Sequence, residues 1–242
     1  MGKKIISLPV CESTNSLMMA MSSSNKLEEG CVIICESQTK GRGQAGSVWV
    51  AEEGSNLTFS VFLKPEFLEP VVQFNLNMAV GLAVADVIEM ASIHRVKVKW
   101  PNDVMVNEKK VCGILIENQI QGQQFTQSIV GIGLNVNQKE FEWPKATSLC
   151  LEANQYFNRN EIFEWILEKL EMRYNQLKTK QFMLLRQDYY RSLFWMEEKH
   201  EFMSDGKIFS GTIKGVDEFG RLQISTENRL KGFNFKEVSF IS

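Results

Sequence analysis

Lys99-Trp100-Pro101-Asn102-Asp103 sets a cation, an aromatic wall, a stiff turn and two short polar side chains at what reads as one strand end. Lys110 follows seven residues after Asp103, and Gly113-Ile114-Leu115 continues the next apolar run. A hairpin between the two runs brings Lys110 back toward Asn102 and Asp103. That gathers a cation, an amide and a carboxylate in one place; the same residues also fit a charged hairpin with a solvated lysine. Gly131-Ile132-Gly133-Leu134-Asn135 holds glycines inside a strand, which they weaken unless something approaches the backbone closely. A bulge or a tight packing contact is the plainer account. Ser13-Thr14-Asn15 supplies hydroxyl and amide groups at a helix start, where Ser13 or Thr14 equally serves as an N-cap.

Gly41-Arg42-Gly43-Gln44-Ala45-Gly46 matches the dinucleotide pattern G-x-G-x-x-G, but that fingerprint needs a helix to start at the loop. Here Ser47-Val48-Trp49-Val50, a turn near Gly54 and a strand follow instead. The kinase pattern fails as well, because His94-Arg95-Val96 lacks the catalytic Asp and no Asp-Phe-Gly occurs. What remains is a loop rich in backbone N–H donors that carries Lys40 and Arg42. It can wrap an anion or a polar ring, or simply join two strands.

These segments need a scaffold, and the periodicity supplies one. Strands are expected at Ile5-Ile6, over 30–35, over 57–63 with one strongly apolar face, over 96–100, from Val111 to Glu117, and over 129–135. Helices are expected after Ser13, over 73–93, over 161–180 and over 182–195. From about Lys199 the texture changes to short strands and tight turns. The fold class is α/β (α+β), a mixed sheet flanked by helices, with residues 1–198 as the main domain and 199–242 as a small β domain.

Composition narrows the function. A chain of 242 residues, 44% hydrophobic and 23% charged with a net charge of −2, has neither the basic footprint of a nucleic-acid binder nor the makeup of a disordered chain. The five cysteines form no zinc set and read as reduced, mostly in the core. No metal site is expected from the side chains. No signal-peptide apolar region forms, and residues 74–93 carry Asn75, Asn77, Asp86 and Glu89, a poor membrane span. The expectation is a cytoplasmic protein that engages neither membrane nor nucleic acid; nothing in the sequence fixes an oligomeric state.

Ser13-Thr14-Asn15, the 38–49 loop, Lys99 to Asp103 with Lys110-Val111-Cys112-Gly113-Ile114-Leu115, and Gly131 to Asn135 occur in the order found in biotin protein ligases. The chain resembles that family over nearly its whole length. The resemblance implies a catalytic fold akin to class II aminoacyl-tRNA synthetases, with a small SH3-like barrel at the C-terminal end. It starts at the first strand, which implies the monofunctional form without a DNA-binding domain. The implied reaction activates biotin with ATP and Mg²⁺ as biotinyl-adenylate, then transfers biotin to a lysine of a biotin carboxyl carrier domain. By the same resemblance Lys110 and Arg42 are catalytic. Ser13, Thr14, Asn15, Gln38, Arg42, Gly43, Gln44, Lys110 and Gly113 bind biotin, while Lys99, Asn102, Asp103 and Asn135 bind ATP. Trp49 is expected either as hydrophobic cover or as core. The family's loop often carries further basic residues where this chain has Gln44, Ala45, Ser47 and Val48, so Lys40 and Arg42 are expected to compensate in part. Lipoate or octanoate ligases resemble the same architecture; the polar ring pocket of Ser13, Thr14 and Gln38 favours biotin. A non-catalytic ligand sensor is disfavoured by Lys110 beside Asn102 and Asp103.

Overall fold

The computed structural model describes residues 1–23, 27–227 and 229–241. Strands β1 (Ile5–Cys11), β2 (Val32–Gln38), β3 (Leu57–Leu63), β4 (Val96–Lys99), β5 (Asp103–Val106), β6 (Lys109–Gln121) and β7 (Gln124–Leu134) form one sheet. Their order is β1-β2-β3-β7-β6-β5-β4. Only β1 and β2 run parallel; every other neighbouring pair is antiparallel, so the sheet is mixed. The helices are α1 (Thr14–Ser22), α2 (Phe74–Met90), α3 (Leu149–Ala153), α4 (Arg159–Lys178) and α5 (Phe182–Ser192).

Strand alternation sorts side chains between two layers. Val32, Phe59, Val61 and Val130 join α2 and α4 in the larger core cluster, whereas Ile33, Phe62 and Ile129 join Met18 of α1 in a smaller one. Helices therefore cover both faces. This corrects the expectation of a single apolar face for β3: all seven of its residues are buried. Thr58 and Ser60 share the α1 face with Phe62, so they look toward protein and not toward water.

The helical stretch Pro70–Met90, which ends with α2, is long and apolar enough to cross a membrane, yet 72% of its apolar window is buried inside the protein. α2 is the central core helix. Arg173 of α4, 8% exposed, ties it down: Nε and Nη2 each donate to Asp86 of α2 at 2.9 Å, and Nη1 donates to Asp188 of α5 at 2.7 Å. The cysteines are free, four of them buried.

Strands β8 (Lys199–Ser204), β9 (Lys207–Val216), β10 (Leu222–Ser225), β11 (Leu230–Phe233) and β12 (Ser239–Ile241) make a second, antiparallel sheet ordered β11-β10-β9-β8-β12. The Asp205-Gly206 turn between β8 and β9 has φ of 52° and 72°, the left-handed pair that matches hairpin twist. The indole N–H of buried Trp100 donates to the Gly220 carbonyl at 2.9 Å, and Phe235 packs edge-on to the same ring. A side chain at Gly220 would collide with Phe74. Trp100 thus fastens the C-terminal strands to the main sheet, which corrects its reading as an aromatic wall of the site.

Candidate active site

A cleft of about 210 Å³ opens on the α1 face of the sheet. Its floor is made by alternate residues of three neighbouring strands: Thr58 of β3, Gly131 and Gly133 of β7, and Gly113 and Leu115 of β6. The register pairs Gly113 with Gly133 and Leu115 with Gly131. Glycines at these positions leave the floor bare. A Cβ at Gly131 would strike the Asn15 carboxamide, and one at Gly133 would strike the Trp49 indole. Close approach, not a bulge, explains the glycines of β7.

Ser13, Thr14 and Asn15 form one wall. Ser13 is the N-cap of α1, its Oγ accepting from the Ser16 N–H at 3.4 Å, and it lines the cleft as well. The two readings of Ser13 are compatible. Thr14 N–H donates to Gln38 Oε1 at 2.7 Å, and Thr14 Oγ1 lies 3.2 Å from the same oxygen. Buried Ser60 donates to Asn15 Oδ1 at 2.6 Å and sits 2.8 Å from Thr14 Oγ1. Asn15 Nδ2 donates to the Leu115 carbonyl at 3.2 Å and to Glu117 Oε2 at 2.9 Å. With its oxygen and both N–H groups engaged, the Asn15 amide is fixed in one orientation.

The loop after β2 closes the cleft with Arg42, Gly43, Gln44, Ser47, Val48 and Trp49. It folds back on itself: Gly43 N–H donates to Ser47 O at 2.7 Å, Ser47 N–H to Gln44 O at 3.2 Å, and Trp49 N–H to Gly41 O at 3.1 Å. Those three donors are spent within the loop, which fixes its fold over the cleft. Arg42 Nη2 donates to Glu117 Oε1 at 2.6 Å. Lys40 pairs with Glu12 at 2.8 Å, is 70% exposed and does not line the cleft.

At the other end lies Lys110, whose Nζ is 2.7 Å from Asp103 Oδ1. The hairpin expected from the sequence is present, with Asp103 opposite Gly113 and Met105 opposite Lys110. Asn102 is pinned to β6 by Nδ2 donating to the Ile114 carbonyl at 2.8 Å, and Trp100-Pro101 is a cis peptide. Asp103 is the one carboxylate on the cleft among the described residues. Lys99 does not line the cleft. Its Nζ rests 4.7 Å from the centre of the Phe240 ring, where burial pulls its pKa down and the Asp103 carboxylate opposes that shift.

A second, wider cavity of about 530 Å³ adjoins the first. Val48, Trp49 and Lys110 line both; Asn135, Gln138, Phe141 and Trp143 line only the second. Asn135 is buried with Nδ2 donating to the Thr147 carbonyl at 3.0 Å. Gln44 Oε1, Trp49 Nε1 and Asn135 Oδ1 are buried polar atoms without a hydrogen-bond partner among the described residues. All three belong to cavity-lining residues, where a ligand can satisfy them.

Sequence reasoning did not single out Thr58, Ser60, Glu117 or Phe235. The first two carried a signal, being the polar phase of a strand otherwise apolar. Glu117 stands at the same two-residue spacing as Gly113 and Leu115, on the same face. Phe235, the C-terminal strands' contribution to the cleft, carried none.

Comparison with known proteins agrees with this geometry. Residues 7–135 match the biotin/lipoate A/B protein ligase family, and residues 202–241 match the biotin protein ligase C-terminal domain. The bifunctional ligase/repressor BirA of Bacillus subtilis is 31% identical over 237 residues, covering 96% of this chain and 72% of that protein. The biotin–[acetyl-CoA-carboxylase] ligase of Mycobacterium tuberculosis is 32% identical over 221 residues, covering 90% and 81%. Among solved structures, the biotin protein ligase of Aquifex aeolicus in complex with biotin and ATP is 29% identical, with a TM-score of 0.82 and 98% of each chain covered. These matches span both the main sheet and the C-terminal strands, and the chain belongs to the biotin/lipoate A/B protein ligase family.

Proposed function

We propose that the first cavity binds biotin, the second binds the adenosine side of ATP, and Lys110 joins the two substrates into biotinyl-adenylate. The observation that carries this reading is that Lys110 lines both cavities. The larger substrate suits the wider cavity. The match of residues 202–241 to the biotin protein ligase C-terminal domain favours biotin over lipoate.

In the first step a carboxylate oxygen of biotin attacks the α-phosphorus of ATP, and the bond to pyrophosphate breaks. The obstacle is bringing an anion onto a polyanion. A fixed ammonium group in a cleft partly shielded from water lowers that cost, because it is already aimed where charge builds up. Asp103 holds the Lys110 side chain in place, and both side chains are about three-quarters shielded, at 22% and 24% exposed. In the second step the amine of a lysine on a biotin carboxyl carrier domain attacks the acyl carbon, loses its proton, and displaces AMP.

Ser13, Thr14, Asn15 and Gln38 present the hydroxyl and amide groups that a urea ring needs, against the bare floor of Gly113 and Gly131. Arg42, Gly43 and Gln44 close over it. Asn102 and Asp103 stand where the phosphates pass toward Lys110, while Asn135 offers its unpartnered oxygen to the nucleotide. Lys99 acts at longer range, through its charge beside Asp103. Mg²⁺ enters with ATP. One carboxylate, and no group of three or more metal-ligating side chains among the described residues, fits an ion held chiefly by phosphate oxygens.

The test is ATP-dependent transfer of biotin to a purified carrier domain. Labelling of one carrier lysine with release of AMP is the expected result; labelling by lipoate but not biotin overturns the assignment.

A further inference from the structure

We propose that Glu117 is a positioning residue that holds the glycine loop and the start of α1 together over the biotin cleft. The inference deepens the reading of that cleft as the biotin pocket and rests on it. Glu117 sits on β6, one alternation beyond Leu115. Its two carboxylate oxygens serve different parts of the chain. Oε1 accepts from Arg42 Nη2 at 2.6 Å, while Oε2 accepts from Asn15 Nδ2 at 2.9 Å and from Arg42 Nη1 at 3.4 Å. Arg42 Nη1 also donates to Ser16 Oγ at 3.2 Å, which closes the link between loop and helix.

Three segments distant in sequence therefore meet on one carboxylate whose side chain is 23% exposed. Charge-assisted hydrogen bonds of this kind are roughly twice as strong as neutral ones. Arg42 and Asn15 both line the cleft, whereas Glu117 does not. Its influence passes through the two residues that it orients.

The chemistry fixes what a neutral replacement does. In Glu117→Gln the amide must turn its NH₂ toward either the guanidinium or the Asn15 amide. Each choice sets donor against donor, so one of the two residues is released. Asn135, Asp103 and Lys110 have no hydrogen bond or ion pair to Glu117, so the nucleotide side is left in place.

Biotin binding is measured by calorimetry, and biotin and ATP KM by pyrophosphate exchange, in the full chain and in Glu117→Gln, Glu117→Asp, Arg42→Ala and the Arg42→Ala/Glu117→Gln double variant. Biotin Kd and KM are expected to rise roughly tenfold or more in Glu117→Gln, with ATP KM within about twofold of the parent. Glu117→Asp keeps the charge but is too short to reach both partners, and falls between. Adding Glu117→Gln to Arg42→Ala costs less than adding it to the parent. Biotin affinity within about twofold of the parent in both position-117 variants overturns the proposal, as does a parallel rise in ATP KM. If the parent binds no biotin, the pocket reading fails first, and that outcome is distinct from a parent that binds biotin and does not respond to position 117.

Discussion

Lys110 Nζ and Asp103 Oδ1 stand 2.7 Å apart across the β5–β6 hairpin, an ion pair largely shielded from solvent, with Lys110 at the junction of two cavities. Removing a preorganised donor of this kind typically costs about 3–4 kcal/mol of transition-state stabilisation. Lys110→Ala is expected to lower biotin-dependent ATP–pyrophosphate exchange by roughly two to three orders of magnitude while the circular dichroism spectrum stays that of the parent. Near-normal exchange in that variant removes Lys110 from the mechanism.

The bare floor makes its own prediction. In Gly131→Ala the new methyl group meets Asn15, whose amide has no spare orientation to adopt. Biotin KM is expected to rise by roughly tenfold or more, the order of one lost hydrogen bond to a well-ordered site. Unchanged KM with unchanged thermal stability shows that Asn15 yields freely.

Loop charge can be tested one residue at a time. Lys40 is held by Glu12 outside the cleft, whereas Arg42 lines it. Arg42→Ala is therefore expected to speed the release of biotinyl-adenylate, and Lys40→Ala to leave it within about twofold of the parent, as exposed ion pairs contribute little. Stopped-flow trapping of the released adenylate measures both; a larger effect at Lys40 restores it as a partner of Arg42.

Arg173 is the structural counterpart. From α4 it satisfies two carboxylates on two other helices, Asp86 of α2 and Asp188 of α5. Arg173→Ala leaves Asp86 without its partner and Asp188 with Arg191 alone, 3.6 Å away, and a loss of about 2–4 kcal/mol is expected in chemical denaturation. A loss below about 1 kcal/mol means that water enters and replaces the guanidinium.

Trp100→Phe keeps the ring packing but leaves the Gly220 carbonyl without its donor. A destabilisation of about 1–3 kcal/mol is expected from the unsatisfied acceptor. Phe235→Ala is expected to lower kcat/KM with a much smaller change in Tm, because Phe235 is partly exposed at the cleft. Equal loss of Tm in both variants makes Phe235 a packing residue only.

Much of the scaffold was legible because its signals are local. The Asp103–Lys110 hairpin, the apolar period of α2 and the turn glycines follow from neighbours in the chain. The relation of the strands to ligand was harder to see. Thr58 and Ser60 alternate with apolar residues as solvent-facing positions do, and only the arrival of α1 over that face turns them inward. Glu117 looked like a strand end, since its partners Asn15 and Arg42 lie 102 and 75 residues away. Trp100 looked like part of the chemistry because its neighbours are. Its partner is 120 residues downstream, and no periodicity announces a single indole bond.

That bond ties catalysis to the far end of the chain. The pentapeptide that gives the cleft Asn102 and Asp103 also anchors the terminal sheet through Trp100. A change that shifts the turn between β9 and β10, where Gly220 sits, should thus register first as sluggish turnover, before any loss of overall structure is noticed.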